Sequence, residues 1–142
     1  MRGVSLYRVI SMSGIASRSA TNVDYEMPGD GLRFIKRAGV SKKIVEEFII
    51  GCLSQLESDK RQIAKVNIGY YKDIEENGLE YLRIVFVISG KDRQDVIRYE
   101  NDFFSNHYEV ILNQASSLNA KAKKEQVHAF NHHVMVWFDW SG

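Results

Sequence analysis

Three histidines near the C-terminus, His128, His132 and His133, are the residues whose type and spacing come nearest to a metal site. The surrounding pattern predicts a strand, in which His132 and His133 point to opposite faces. His128 and His132 then share a face but lie about 13 Å apart, because a strand rises about 3.3 Å per residue. Zinc needs its ligand atoms about 2 Å from one centre, so only a bulge near Asn131 would bring the pair together. We therefore expect no metal and no cofactor.

Catalytic signatures are missing from the sequence. It contains no G-x-S-x-G nucleophile elbow, no G-x-x-x-x-G-K phosphate loop and no G-x-G-x-x-G dinucleotide motif. The single cysteine, Cys52, has no neighbour suited to activating it and lies among apolar residues of a predicted helix, so we expect a buried and inert thiol. One cysteine also excludes an internal disulfide. The sequence favours a protein that is not an enzyme.

Two basic clusters and several aromatic residues could contact nucleic acid. The clusters are Arg33, Lys36, Arg37, Lys42 and Lys43, and then Lys121, Lys123 and Lys124. A bare four-stranded sheet can bind RNA by stacking bases on aromatic side chains, which Tyr7, Tyr71, Tyr81 and Trp137 could supply. However, the central strand lacks the RNA-recognition signature, and the formal net charge is only +1. Nucleic acid remains an alternative that the sequence does not favour.

The aromatic C-terminus, residues 134–140, alternates in the manner of a strand. One face carries Val134, Val136, Phe138 and Trp140. Met135 and Trp137 point to the other face, which predicted helices would leave open. An open apolar sheet face usually meets another subunit, another protein or a ligand. The alternative is that residues 13–39 fold over this face.

The clearest predicted element is the strand at residues 79–90, which contains the apolar run V-F-V-I at 85–88. Asn77 and Gly78 stand directly before it, and both residues tolerate the positive φ that a type I′ turn requires. Residues 65–75 alternate and would form the partner strand. This pattern predicts a β-hairpin on which the remaining elements pack.

The remaining elements complete a recognisable order. They are a first strand at 4–12, a helix from Ser41 to near Ser58, a helix from Asp92 to about Ser117 with a break near Ser105-Asn106, a polar connector at 121–126 and a long last strand at 127–140. This order predicts a ferredoxin-like α+β fold, an antiparallel four-stranded sheet with two helices on one face. Residues 13–39 would be an insertion, either a small hairpin or a long loop.

Length and composition are those of one folded domain spanning residues 1–142. The chain is 44% hydrophobic and 26% charged and has one proline, which argues against extensive disorder. No apolar run approaches the roughly 20 residues needed to span a bilayer, and the N-terminus lacks the pattern of a signal peptide. We expect a cytoplasmic protein.

The function that these observations favour is binding rather than catalysis. We expect a small protein that docks on another protein or on a second copy of itself, as an inhibitor, an immunity-type protein or a regulatory subunit does. In the alternative, a ligand-binding domain or enzyme holds its substrate between the sheet and residues 13–39. The candidate binding residues of both hypotheses are Arg18, Arg33, Arg37, His128, His132, Met135 and Trp137.

Overall fold

The computed structural model describes residues 4–5, 23–73, 75, 78–115 and 120–142. The strands are β1 (Val4–Ser5), β2 (Glu26–Met27), β3 (Ile63–Asp73), β4 (Leu79–Ile88) and β5 (Val134–Trp140). The helices are α1 (Gly29–Ala38), α2 (Lys42–Ser58), α3 (Arg93–Asn106), α4 (Tyr108–Ala115) and α5 (Ala120–His133). The predicted class, α+β, is confirmed.

The predicted hairpin is present as β3 and β4, which pair antiparallel with Val66 opposite Phe86 and Tyr71 opposite Tyr81. Gly78, at the end of the turn, has a φ of 95°, a backbone conformation that glycine adopts readily and that residues with a side chain rarely adopt. The predicted turn residue Asn77 lies outside the described part of the chain.

The ferredoxin-like prediction is wrong because the last strand runs the other way. β5 pairs with β4 in parallel, with Ile84 opposite Val136, and the main sheet has three strands in the order β3-β4-β5. A parallel neighbour requires a long crossover connection, which here contains α3, α4 and α5. The fold is therefore a mixed three-stranded sheet with five helices among the described residues, not an antiparallel four-stranded sheet with two.

The predicted connector at 121–126 and the first half of the predicted last strand are one helix, α5. Residues 120–126, A-K-A-K-K-E-Q, are strong helix formers, a signal that the alternation after residue 127 obscured. Phe130 is fully buried, and its ring centroid lies 4.9 Å from that of Phe48 in α2. This tertiary contact holds the segment as a helix until the strand begins at Val134.

The predicted insertion at 13–39 does not form its own hairpin in the described part. β2 pairs with β1, with Met27 opposite Val4, and residues 29–38 are the helix α1 rather than a second strand. The helix ends at Gly39, whose φ of 82° is left-handed, a common helix terminator. Residues 6–22, including most of the predicted first strand, lie outside the described residues.

The two long helices predicted from periodicity are confirmed with small changes. Ser41 caps α2 by accepting a hydrogen bond from the Ile44 N–H at 3.4 Å, and Asp92 caps α3 by accepting one from the Asp95 N–H at 2.8 Å. The predicted break in the second helix falls at His107, between α3 and α4.

The helices pack on one side of the sheet, which we call the inner face. Its residues alternate along the three strands: Val66, Ile68 and Tyr70; Leu82, Ile84, Phe86 and Ile88; Val134, Val136 and Phe138. Phe34 of α1 lies 5.3 Å from Tyr70, and Phe103 of α3 lies 4.9 Å from Phe138, both between ring centroids. Residues 23–39 thus cover the inner face, not the opposite one.

One ion pair joins the two strands of the hairpin to α3. Arg61, just before β3, donates to both carboxylate oxygens of Asp95 at 2.8 and 3.2 Å and to the Ser89 carbonyl at 3.1 Å. Its guanidinium also lies 4.8 Å from the ring centroid of Tyr99. The Arg61 hydrogen bonds, with the Lys91 N–H, hold the pKa of Asp95 at about 2, below its ordinary value of 3.8.

Phe130→Ala tests whether α5 is fixed by its core contact. Because the Phe130 side chain is fully buried among apolar neighbours, we expect a loss of about 3–5 kcal/mol in the free energy of unfolding, measured by urea denaturation. The control is Val110→Ala, at a side chain that is 53% exposed, with an expected change below about 0.5 kcal/mol. Equal effects of the two substitutions would contradict this packing.

Asp95→Asn tests the ion pair through its pH dependence. A lowered pKa in the folded state stabilises the protein at pH values above the ordinary value of 3.8, and this stabilisation is lost as the pH falls toward about 2. The wild type should therefore exceed Asp95→Asn in stability at pH 7, and the gap should close between about pH 4 and pH 2. Urea denaturation across this range, with the exposed Glu47→Gln as the carboxylate control, measures it. A gap that is independent of pH would contradict the assignment.

Candidate functional site

The side of the sheet opposite the helices, which we call the outer face, carries the candidate site. Strand alternation and the register place these residues on it: Lys65, Asn67, Gly69, Tyr71 and Asp73 of β3; Leu79, Tyr81, Arg83, Val85 and Val87 of β4; Met135, Trp137 and Asp139 of β5. Met135 and Trp137, the predicted residues of the open face, are 41% and 40% exposed.

Arg83 stands at the centre of the outer face, with Gly69 opposite it on β3 and Met135 opposite it on β5. Its guanidinium carbon lies 4.2 Å from the ring centroid of Tyr71 and 5.2 Å from that of Trp137. Its Nη2 also donates a hydrogen bond of 2.6 Å to the Tyr71 hydroxyl. The arginine is therefore held between aromatic rings that come from the two outer strands.

Glycine at position 69 permits this arrangement. A Cβ built there would lie 2.8 Å from Cε2 of Tyr71, closer than carbon atoms approach without a shift. The Tyr71 ring therefore lies across the backbone of its own strand, toward Arg83. A larger residue at position 69 would push the ring away from the guanidinium.

The three aromatic side chains form a cluster around Arg83, in which the Tyr81 ring contacts the other two. The rings of Tyr71 and Tyr81 are stacked with centroids 5.7 Å apart, and the Tyr81 and Trp137 rings meet edge to face at 6.4 Å. Beside this Arg83 cluster (Tyr71, Tyr81, Arg83 and Trp137) is an open depression of about 300 Å³. Its lining residues are Asn67, Arg83, Val85, Trp137, Phe138 and Asp139.

The outer face combines apolar, aromatic and charged side chains. It offers apolar and aromatic surface around a cation whose position is fixed by its neighbours. The charged side chains on this face balance, since Lys65 and Arg83 are positive and Asp73 and Asp139 are negative.

Two of the predicted binding arginines, Arg33 and Arg37, do not lie with Met135 and Trp137 on the outer face. Arg33 and Arg37 lie on α1, on the inner side of the sheet, and Arg18 lies outside the described residues. Arg37 instead donates to both carboxylate oxygens of Glu80 at 3.0 and 3.2 Å. The hydroxyl of Tyr70 donates to the same carboxylate, and these bonds, Tyr70 first, lower the pKa of Glu80. Arg37 is thus part of a contact between α1 and β4.

The predicted histidines also lie away from the outer face, on α5. The expected separation of 13 Å between His128 and His132 is wrong because the segment is helical, and their ring centroids are 4.3 Å apart. Within residues 23–73, 78–115 and 120–142, no three or more His, Cys, Asp or Glu residues are grouped so as to hold a metal ion.

Cys52 is a free and fully buried thiol whose pKa is raised by burial, which disfavours the reactive thiolate.

A second depression, of about 430 Å³, lies where α1 meets α2. Its lining includes Leu32, Val40 and Gln126 but none of the arginines or histidines that the ligand-binding hypothesis named.

The sequence prediction did not include Arg83 among the site residues, although the strand alternation around it indicated its face. The alternation along 81–88 places Tyr81 and Arg83 opposite Leu82 and Ile84. The pairing of Tyr71 with Tyr81 follows from the hairpin register, once the turn at Gly78 is fixed. What no pattern supplied is the parallel position of β5, which brings Trp137 beside them.

Comparisons with protein-family models, with curated proteins and with solved structures find no match for this chain. None of the helices in the described part of the chain has the length and apolar character needed to cross a membrane.

A double-mutant cycle tests the contact between Arg83 and Tyr71. Combining Arg83→Met with Tyr71→Leu should reveal a coupling of about 0.5–1 kcal/mol in the free energy of unfolding, because each single change already removes the cation–π contact. As a control, Arg83→Met with the distant Val110→Ala should be additive within about 0.3 kcal/mol. Urea denaturation of six proteins measures both cycles: the wild type, the three single variants and the two double variants. Additivity of the Arg83 and Tyr71 changes would contradict the contact.

Proposed function

We propose that this chain is a small cytoplasmic protein that binds another protein through the outer face of its sheet, as an inhibitor or regulatory subunit does. The observation that carries the proposal is the Arg83 cluster, in which Tyr71 and Trp137 are exposed and Tyr81 and Arg83 partly exposed, together with the exposed Met135. Tyrosine, tryptophan, methionine and arginine are enriched at the cores of protein interfaces, and tyrosine, tryptophan and arginine supply most binding hot spots. The outer face places these residue types side by side.

The fixed position of Arg83 supports binding without a large ordering cost. A free surface arginine loses side-chain freedom when a partner immobilises it, which weakens association. Here the Tyr71 hydroxyl, at 2.6 Å, and the rings of Tyr71 and Trp137 already hold the guanidinium. A partner would meet a surface that is close to its bound arrangement.

The edge of the sheet at β5 favours binding across the face over strand addition. Strand addition needs free backbone N–H and C=O groups along the edge. The Phe138 N–H instead donates to Glu100 of α3 at 3.0 Å, and the Trp140 N–H donates to its neighbour Asp139 at 2.9 Å. Side chains thus occupy two donors of this edge, as they do in many proteins that avoid edge-to-edge pairing.

The balanced charge of the outer face favours a protein partner over nucleic acid. Binding to phosphates needs an excess of lysine and arginine on the binding face, whereas the outer face carries two positive and two negative side chains. Base stacking would also have to displace the guanidinium from the rings of Tyr71 and Trp137. Both features favour a protein over RNA.

Matched capture experiments with the full chain test the proposal. Immobilised wild type, Arg83→Ala, Trp137→Ala and the control Val110→Ala are exposed to lysate of the source cells, and retained proteins are quantified by mass spectrometry. A true partner should be kept by the wild type and by Val110→Ala but lost with both outer-face variants. The purified partner should then bind each outer-face variant at least about tenfold more weakly.

Three results would contradict this function. The first is a partner that all four proteins retain equally. The second is tight binding of single-stranded RNA whose affinity falls steeply between low and moderate salt, as phosphate contacts require. The third is the absence of any retained protein that distinguishes the variants, with sedimentation showing a monomer at every concentration.

A further inference from the structure

Two histidines of α5, His128 and His132, lie next to each other on the surface of the protein. Residues four apart in a helix are neighbours on one face, and the two ring centroids are 4.3 Å apart with 37° between the ring planes. Both side chains are exposed. The pair is therefore open to solvent and to dissolved ions.

The opposite side of α5 is anchored in the core, which fixes the direction in which the pair points. Phe130 lies midway between the two histidines in sequence, is fully buried and packs on Phe48. At 100° per residue, positions 128 and 132 fall about 160° to either side of position 130, on the far side of the helix. Burial of Phe130 thus turns both imidazoles outward.

Hydrogen bonds at two further points hold the helix in place. Gln126 accepts from the Ser41 N–H and donates to the Gly39 carbonyl, both at 3.0 Å. The Tyr108 hydroxyl donates to the Asn131 side chain at 2.7 Å. The histidine pair is therefore carried by a rigid element, as a site that binds without rearrangement requires.

We propose that His128 and His132 form a two-histidine site for a divalent late transition-metal ion, of the class of Cu²⁺, Ni²⁺ and Zn²⁺. Imidazole nitrogen suits these ions, and a four-residue helical spacing is the one with which helices present two histidines to one zinc ion. Because the described residues add no third ligand, water or a group from another molecule fills the remaining coordination positions. This site is independent of the outer face.

The charges around the pair are mixed, with one favourable contribution from the helix itself. His132 lies in the last turn of α5, where the partial negative charge of the helix C-terminus favours a cation. Lys124 lies one turn before His128 on the same row and opposes binding, and Glu125 lies beside it. We therefore assign the affinity mainly to the two nitrogen ligands.

Chelation by two histidines predicts how much the metal affinity depends on each of them. When one imidazole holds the ion, the second binds it as an intramolecular step with a high effective concentration. Loss of either histidine should then weaken binding much more than loss of a histidine elsewhere. His107, at the end of α3, is the matched control because its removal leaves the same number of histidines.

Isothermal titration of the full chain with Cu²⁺ and with Ni²⁺ tests the site. The wild type and His107→Ala should bind one ion with equal affinity, and His128→Ala and His132→Ala should each bind at least roughly tenfold more weakly. In NMR spectra, substoichiometric Cu²⁺ should broaden the imidazole signals of His128 and His132 first. Circular dichroism confirms that the variants keep their helix content.

Either of two results would overturn the site. One is an affinity that is the same in the wild type and in both pair variants. The other is broadening that begins at His107 or at His133, whose half-buried ring lies 6.1 Å from that of His132 and contacts Phe34.

Discussion

The structure depends on the alternation of side chains along the central strand β4, which has one face under the helices and the other face turned away from them. Its even-numbered residues Leu82, Ile84 and Phe86 are fully buried under the helices, and its odd-numbered residues face away from them. Because side chains alternate along a strand, a shift of one residue in register would bury Arg83 and expose Phe86. This constraint fixes both the core and the composition of the outer face.

The outer face combines solvent exposure with side chains held in place by their neighbours. Arg83 contacts aromatic rings from β3 and β5, so the cluster forms only when the three strands have assembled. The absence of a side chain at Gly69 lets Tyr71 lie across its strand. The recognition surface that we propose is thus a product of the same strand pairing that builds the core.

The histidine pair shows that one wrong assignment of secondary structure also changes the expected metal chemistry. In a regular strand, His128 and His132 are too far apart to share an ion, and no metal was therefore expected from the sequence. Read as a helix, the same residues have adjacent rings. The composition of residues 120–126 favours a helix, but the aromatic alternation downstream outweighed it in the sequence interpretation.

The sequence by itself determined the α+β class, the β3–β4 hairpin, the periodic helix α2 and the outward direction of Met135 and Trp137, because periodicity and turn residues act locally. Only the tertiary structure decided that β5 runs parallel to β4, that residues 127–133 continue the helix α5 and do not begin the strand, and that Arg83 meets Trp137. Each of these depends on contacts between residues far apart in the chain, such as Phe130 with Phe48, which no local pattern encodes.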